Sequence, residues 1–208
     1  EQEGQFKFLP RHQVTDIGIE HNQVTHISGI ILEPSDVERG EKSSRTVIDT
    51  FHYEVDELLI TSGGIGANMP LIRKYWPKRL GNPPKTMIQG VPDSTDGHLI
   101  QVTEDAGANI VNKDRMWHYT EGIQNHSPIW SNHGIRIIPG PSSMWFDATG
   151  KRMAAPDYPG FDTLHTLETI MKTGYDYSWF ILTEDIIKKE FVLSGSEQNP
   201  DLTDKDIK

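Results

Sequence analysis

The glycine-rich segment Ser62-Gly63-Gly64-Ile65-Gly66 is the clearest sign of ligand chemistry in the sequence. It follows the apolar run Leu58–Thr61, so we expect a buried strand before it and a helix after it. Glycines let the backbone turn sharply and approach a ligand closely, and free N–H groups at a helix start favour an anion or a polar cofactor edge. The third glycine of the dinucleotide-binding fingerprint is absent. A simple tight connection therefore remains an open alternative.

A second candidate site is the aromatic segment Asp114–Gly122, which reads DRMWHYTEG. His118 and Tyr119 are residue types that act as general acids or bases once they are positioned. Aromatic and histidine side chains in such an aperiodic segment more often pack and form hydrogen bonds through their polar tips. A structural role is therefore the alternative.

Metal, thiol and hydrolase chemistry find less support. The chain has no cysteine, which excludes disulfides and thiolate catalysis. Its nine histidines lack the compact spacing of a zinc motif, so no metal site is predicted. A hydrolase built on Ser142 and His133 is a minor alternative, because the sequence has no G-x-S-x-G motif.

Charge and hydropathy exclude two further classes of partner. The net charge of −10, from 30 acidic and 20 basic side chains, argues against nucleic acid, which requires clustered Lys and Arg. No apolar run approaches the ~20 residues of a membrane span. The sequence opens without Met or a signal peptide and resembles the interior of a longer protein. We expect that protein to be cytoplasmic.

The elements that position the two candidate sites begin with an antiparallel meander. Val24–Leu32 is rich in β-formers, Thr46–Tyr53 alternates apolar and polar residues, and Glu57–Ser62 is a short apolar run. The charged stretch Glu33–Arg45 between them predicts an exposed hairpin loop. The sequence therefore predicts a small sheet that leads into one buried strand.

The remainder of the chain predicts alternating short helices and strands. Asn68 is placed to cap a helix with Pro70 in its first turn, and the prolines that follow suggest a subdomain boundary. The tail from Gly195 is expected to be loose. The other predicted elements are a helix from Ser94 or Thr95 to Ala106, strands at Asn109–Asn112, Ile135–Ile138, Met144–Phe146 and Tyr175–Leu182, a helix at Phe161–Lys172 capped by Asp162 or Thr163, and a helix from Glu184.

The order of these motifs resembles the flavoprotein family of the fumarate reductases, succinate dehydrogenases and ketosteroid dehydrogenases. The stretch QVTHISGIIL…FHYEVDELLITSGGIGANMPLIRKYWP is similar to the meander, Ala-Thr-Gly-Gly-Phe turn and helix of that family. DSTDGHLIQVTEDAGANIV resembles its Thr-Gly-Asp-Gly helix, and WFDATGKRM resembles its Val-Asn-x-x-Gly-Lys-Arg-Phe turn. The resemblance covers about Phe6 to Ser194, and DRMWHYTEGI is most like bacterial FAD-binding dehydrogenases.

The resemblance implies an α+β fold in which a capping, substrate-side domain interrupts an FAD-binding domain. Residues 1–90 are expected to be a partial FAD-binding domain with the meander and glycine turn, and residues 91–208 the capping domain with its loose polar tail. The family's dinucleotide fingerprint is expected upstream of Glu1. FAD is therefore expected in the full-length protein and is not expected to be retained by this chain alone.

The resemblance also implies a mechanism. A hydride moves between flavin N5 and an activated C–C bond of a small organic or steroid-like substrate, and a protein acid or base moves the matching proton. The expected partners are that substrate and the remainder of the parent chain; a stand-alone binding domain without catalysis is the alternative. The residues implied to flank the FAD or the domain junction are Val14, Ser62, Gly63, Gly64, Gly66, Asp96 and Gly97.

The same resemblance suggests catalytic residues. Arg152 lies where the fumarate reductases place a proton-donating arginine, but the family's following glutamate is absent, since the motif reads Gly-Lys-Arg-Met-Ala-Ala-Pro. A tyrosine acid or base, as in the steroid enzymes, is therefore favoured: Tyr119 first, with His118 beside it, and then Tyr177 and Tyr175. A phenol needs nearby positive charge to act as a base at neutral pH. The local candidates for that charge are Arg115, His118 and Arg136.

Overall fold

The computed structural model describes residues 4–38, 41–194 and 203–205, within which the chain forms two compact units. The first unit contains the residues up to Gly64 together with Gly97–Val111. The second unit contains Ile65–Asp96 together with the residues from Asn112 onward. The predicted domains at residues 1–90 and 91–208 concern the full-length protein and stay a prediction.

The chain contains both short strands and short helices, in agreement with the predicted α+β class. The strands are β1 (His12–Glu20), β2 (Gln23–Leu32), β3 (Val47–Glu54), β4 (Gly122–Gln124), β5 (Gly134–Ile138), β6 (Met144–Asp147), β7 (Ser178–Ile181) and β8 (Val192–Ser194). The helices are α1 (Met69–Lys74), α2 (His98–Asp105), α3 (Thr163–Lys172) and α4 (Glu184–Lys189), with a short 3-10 helix at Lys78–Leu80.

The first unit is built on the predicted antiparallel meander, in which β2 lies between β1 and β3. His21 and Asn22 connect β1 to β2 with φ of 51° and 63°, and two such left-handed residues fit the twist of a two-residue hairpin. Gly29 of β2 pairs with Val14 of β1, and a Cβ there would lie 2.1 Å from the carbonyl oxygen of Gln13. The close backbone approach explains a glycine inside the strand.

Helix α2 belongs to the first unit but begins later than predicted. The prediction that Ser94 or Thr95 caps it is wrong, because the N-cap is Gly97, with φ of 79° and no side-chain capping bond. The N–H of Thr95 donates to the carbonyl oxygen of Pro92 at 2.9 Å, so these residues form a turn instead. The predicted end at Ala106 is confirmed, since Ala106 is the C-cap and Gly107 follows it with a left-handed φ of 96°.

Side-chain caps fix the helix starts in the second unit. Asn68 caps α1, Asp162 caps α3 and Thr183 caps α4, each by accepting a backbone N–H of the first turn at 3.1, 2.9 and 3.3 Å. The caps at Asn68 and Asp162 confirm the prediction. The residues that pack together beneath α1, α3 and the 3-10 helix are Ile72, Trp76, Leu80 and Leu167.

Two small antiparallel sheets complete the second unit. One has the order β4-β5-β8, and the other consists of β6 and β7. The strands predicted at Ile135–Ile138 and Met144–Phe146 are confirmed as β5 and β6. The strand predicted at Tyr175–Leu182 is shorter, since only Ser178–Ile181 pairs with β6.

Two predicted strands are absent from the described part of the chain. Glu57–Ser62 and Asn109–Asn112 lie outside any helix or strand, and Leu59 is 88% exposed. A strand exists only beside a neighbour that takes its backbone hydrogen bonds, and no described strand pairs with either stretch. The prediction of a buried strand that leads into the glycine segment is therefore wrong for this chain.

Three remaining expectations concern the tail, membranes and metals. The tail predicted from Gly195 lies outside the described residues, apart from residues 203–205. Within the described ranges, no helix combines the length and apolarity needed to cross a membrane. Those same ranges contain no group of three His, Asp or Glu side chains able to hold a metal ion.

Candidate functional site

The glycine segment, residues 62–66, is exposed and lies outside any helix or strand over its first three residues. Gly63 has a φ of 81°, which favours glycine. A Cβ on Gly64 would have no atom within 4 Å, whereas a Cβ on Gly66 would lie 2.8 Å from Cγ2 of Val91. Packing in this chain therefore requires Gly66 but not Gly64. Since packing does not explain the glycine at position 64, its lack of a side chain is consistent with the close approach of a ligand.

Asn68 joins the start of α1 to Asp96 within the second unit. Its Oδ1 accepts the N–H of Leu71 at 3.1 Å, and its Nδ2 donates to the carbonyl oxygen of Asp96 at 3.0 Å. The N–H of Ala67 donates to Thr95 at 2.9 Å beside it. The structure therefore brings two of the predicted cofactor-side positions, residues 66 and 96, to one corner of this unit.

His98 links two other predicted cofactor-side residues within the first unit. Its Nε2 lies 3.2 Å from the carbonyl oxygen of Val14, where the pairing of β1 with β2 shifts register. His98 directly follows Gly97, the N-cap of α2. The contact thus places Val14 next to the residue that follows Gly97.

Arg136 lies over the ring of Tyr119 and is one of the three cations that the sequence suggested. Its Cζ is 4.2 Å from the ring centroid, which is within the range of a cation–π contact. The Tyr119 side chain is 51% exposed, so solvent reaches the phenol although a cation covers part of its ring. The exposed Trp117 lies beside the same ring, with centroids 6.1 Å apart. A phenol, a positive charge and an apolar surface therefore meet at one place.

The buried carboxylate of Glu121 holds Arg136 in place. Glu121 is 2% exposed, and its Oε2 lies 3.7 Å from Nε of Arg136. Its Oε1 accepts the N–H of Gly160 at 2.6 Å. Neither Oε2 of Glu121 nor Nε of Arg136 has a hydrogen bond among the described residues, so their contact is an ion pair. We refer to Tyr119, Arg136, Glu121 and Gly160 as the Tyr119 group.

Sequence reasoning missed two members of the Tyr119 group. Glu121 follows Tyr119 closely in the chain, but nothing in the sequence marks it as buried. Gly160 lies in a loop far along the chain, with a φ of 71°. The only sequence signal for Glu121 was therefore that an acidic residue lies two positions after the candidate phenol Tyr119.

His118 packs into the core beside the Tyr119 group. Its ring lies 5.0 Å from that of Trp76, and its Nε2 is buried without a hydrogen-bond partner in the described ranges. Burial lowers the pKa of His118, and the Arg79 cation lowers it further. The imidazole is therefore neutral at neutral pH, and Arg136 is the better source of charge for Tyr119. A catalytic role for His118 stays a prediction.

Arg152 and Tyr177 have separate surroundings. Arg152 is exposed and follows a turn that Asp147 closes by accepting the N–H of Lys151 at 3.0 Å. Tyr177 is 44% exposed, and its ring meets the edge of Tyr175, with centroids 5.7 Å apart. Neither residue belongs to the Tyr119 group, and the catalytic role of each stays a prediction.

A histidine–aspartate pair was also missed by sequence reasoning. Nδ1 of His165 lies 2.7 Å from Oδ1 of Asp157, which is 6% exposed, and Thr166 donates to the same oxygen at 3.2 Å. The hydrogen bond to Asp157 raises the pKa of His165, and nearby carboxylates add to the effect. The pair fixes the start of α3 against the preceding loop.

The two residues of the hydrolase alternative have different partners. The N–H of Ser142 donates to Oε2 of Glu190 at 2.9 Å. His133 is 4% exposed, and its Nδ1 lies 3.1 Å from Nδ2 of Asn125. Both arrangements describe packed loops, so the hydrolase alternative gains no support.

Known proteins match nearly the whole chain. Residues 1–208 match the model of the FAD binding domain family. A KsdD-like steroid dehydrogenase of Mycobacterium tuberculosis is 56% identical over 197 residues, which cover 95% of this chain and 35% of that protein. A KsdD-like steroid dehydrogenase of Mycolicibacterium smegmatis is 53% identical over 202 residues, which cover 97% of this chain and 37% of that protein. The chain thus spans just over a third of these relatives' length. No solved structure matches it.

Proposed function

This chain belongs to the FAD binding domain family, and from that premise we propose that the full-length protein is an FAD-dependent dehydrogenase of a steroid-like small molecule. Tyr119 is its acid–base residue in this proposal. The steroid class comes from the names of the two mycobacterial relatives. The remainder of the parent chain completes the site, and residues 91–208 belong to its substrate-side cap.

The glycine segment is the part of this chain proposed to hold FAD. The support is that Gly64 has open space where a side chain would stand and that residues 62–64 are exposed. The cofactor-side roles of Asp96 in the second unit, and of Val14 and Gly97 in the first unit, are proposed for each unit by itself. When bound, FAD supplies the group that accepts or returns a hydride.

The contact between Arg136 and Tyr119 is the observation that carries the acid–base assignment. Proton transfer at the phenolic oxygen passes through an anionic phenolate, and a cation 4.2 Å from the ring stabilises that charge. Tyr119 is half exposed, so a ligand can reach this residue. Tyr177 has aromatic neighbours instead, which offer no comparable charge.

Glu121 keeps Arg136 available for this role. A guanidinium held on one side by a buried carboxylate loses less side-chain freedom when it covers the phenol. The backbone N–H of Gly160 fixes the other oxygen of that carboxylate. The proposed order of action is therefore that Glu121 positions Arg136, and Arg136 stabilises the phenolate of Tyr119.

The exposed aromatic surface beside Tyr119 supports an apolar substrate. Trp117 is 78% exposed next to the phenol, and large exposed aromatic rings commonly form the walls of sites for apolar ligands. A steroid ring system has the flat apolar faces that such a wall accepts. We propose that Trp117 contacts the substrate and Tyr119 exchanges its proton.

The test is the rate of flavin reduction by substrate in the full-length protein. Tyr119→Phe should retain FAD and the fold but slow flavin reduction on the order of 10²-fold, the scale for loss of one acid–base group. The substrate is the ketosteroid that reduces the wild-type flavin fastest, and stopped-flow absorbance gives the rate. Tyr158→Phe is the matched control, because Tyr158 is 57% exposed and lies outside the Tyr119 group.

Two results would redirect the proposal. A Tyr119→Phe rate within a few-fold of wild type, together with a large loss in Tyr177→Phe, would move the acid–base role to Tyr177. Full-length protein that binds no FAD would contradict the dehydrogenase proposal itself and favour a binding domain without catalysis.

A further inference from the structure

A concave cavity in the second unit has a strongly basic lining. Its volume is about 550 Å³, and it is widely open to solvent. Nine residues line it, and Asp114 is the one acidic member among them. The basic residues of the lining are Lys74, Lys78, Arg79, Lys113 and Arg115.

This basic lining stands out against the charge of the chain. The protein has 30 acidic and 20 basic side chains, yet five of those 20 basic residues surround one cavity. Like charges in a concave surface raise the local potential and attract counter-ions more strongly than the same charges spread over a flat surface. The arrangement therefore favours an anion.

The position of Lys74 in a helix explains one of the cations in the lining, but helix structure does not explain Lys113 and Arg115. Lys74 lies in the last turn of α1, where the helix dipole favours a cation in any protein. Lys113 and Arg115 lie instead on a turn, closed by the N–H of Arg115 donating to Asn112 at 2.8 Å. Asn112 has a left-handed φ of 57°. No helix end accounts for the two cations on this turn.

Aromatic residues form another part of the cavity wall. The ammonium groups of Lys74 and Lys113 each lie 5.3 Å from the centroid of the Tyr75 ring. Trp76 also lines the cavity but is only 8% exposed. The wall therefore combines aromatic surface with the charged groups.

We propose that this cavity binds the phosphate groups of a small molecule, in addition to the FAD of the proposed function. Phosphates carry multiple negative charges and several acceptor oxygens, and guanidinium groups bind them through paired hydrogen bonds. A ligand with one carboxylate would bring less negative charge to this lining than a phosphate does. The inference concerns a ligand site on this chain and does not depend on the role of Tyr119.

The experiment uses full-length protein loaded with FAD and titrates it with two probes, ADP and inorganic pyrophosphate, by calorimetry at low ionic strength. Arg115→Glu and Lys78→Glu each reverse one charge at an exposed side chain of the lining. We expect each to raise the dissociation constant of both probes about tenfold or more. Lys85→Glu is the control, because Lys85 is exposed and does not line the cavity, and it should change binding by less than about twofold.

Each other outcome overturns the inference in a recognisable way. Equal weakening by Lys85→Glu would mean that the probes respond to net charge and not to the cavity. Loss of FAD from Arg115→Glu and Lys78→Glu would assign the cavity to the phosphates of the flavin. Binding to vesicles of anionic lipid without binding of ADP or pyrophosphate would indicate a membrane surface. Flavin content and circular dichroism confirm that each variant is folded.

Discussion

The glycine segment and the Tyr119 group differ in how much of each candidate site this chain supplies. In the glycine segment, residues 62–64 are exposed, and a Cβ on Gly64 would have no neighbour within 4 Å. In the Tyr119 group, the carboxylate of Glu121 is buried, contacts Arg136 at 3.7 Å and accepts a backbone N–H at 2.6 Å. The glycine segment therefore leaves its backbone exposed without packing partners. The Tyr119 group consists of residues that already contact one another.

The difference suggests how the two regions act in the full-length protein. A segment without packing partners gains its role from the ligand that covers it, so a change there should act on cofactor occupancy. A group with its own ion pair and hydrogen bond has a geometry before any ligand binds. A change there should act on proton transfer and stability while FAD remains bound.

Gly64→Val should give the largest effect, which is loss of FAD from the full-length protein. The described chain has room for the new side chain, so a loss of cofactor would come from a clash with the ligand and not from a disturbed fold. Flavin absorbance per protein chain measures the occupancy, and circular dichroism measures the fold.

Gly90→Val is the matched control for that change. A Cβ on Gly90 also has no neighbour within 4 Å, but Gly90 lies outside the glycine segment. It should keep its FAD. Wild-type occupancy in Gly64→Val would instead show that the glycine segment is only a connection. Gly66→Val is less informative, because its Cβ would meet Val91 at 2.8 Å whether or not FAD is bound.

Glu121→Gln should give an intermediate effect, with FAD retained. The substitution removes the charge that faces Arg136 but keeps an oxygen for the N–H of Gly160. Loss of one side of a buried ion pair should lower the free energy of unfolding by about 2 kcal/mol, measured by urea denaturation. Flavin reduction should slow as well, because Arg136 is no longer held over Tyr119.

Glu168→Gln controls for the loss of a carboxylate alone. Glu168 contacts Lys172 at 2.8 Å in an exposed pair on α3, and exposed pairs add little to stability. It should leave the urea midpoint and the rate of flavin reduction unchanged. If both substitutions had the same small effect, the Tyr119 group would not be a preformed arrangement.

Two histidines should give the smallest effects, with opposite dependence on pH. The pKa of His165 is raised by Asp157, so its contribution to stability is present below about pH 6.5 and is lost as the pH rises through the raised pKa. The pKa of His118 is lowered by burial, so its contribution is present above about pH 6.5 and is lost as the pH falls through the lowered pKa.

The measurement compares urea midpoints of His165→Gln, His118→Gln and the wild type at about pH 5.5 and about pH 8.5, on either side of the ordinary histidine pKa. The deficit of His165→Gln should be larger at the lower pH, and that of His118→Gln should be larger at the higher pH. Deficits that change in the same direction would mean that at least one histidine does not have the surroundings described.

The sequence predicted the features of the fold that depend on neighbours close along the chain. Asn68 and Asp162 cap helices because their side chains reach N–H groups of the next turn. Alternation in Thr46–Tyr53 predicted β3, and the motif order predicted the FAD-binding family that the comparisons confirm. In the candidate site, the sequence selected Tyr119 and proposed Arg136 as one of three possible cations.

The tertiary structure decided the features that depend on partners far along the chain. Glu57–Ser62 has the composition of a strand, but no neighbouring strand accepts its hydrogen bonds, so it stays exposed. Arg136 became the partner of Tyr119 because β4 and β5 pair, and Gly160 joined Glu121 through a loop that no local pattern predicts. Local sequence fixes caps and alternation, since their partners lie within a few residues. An ion pair or a strand pairing between remote residues requires the chain to fold, because only folding brings the two partners together.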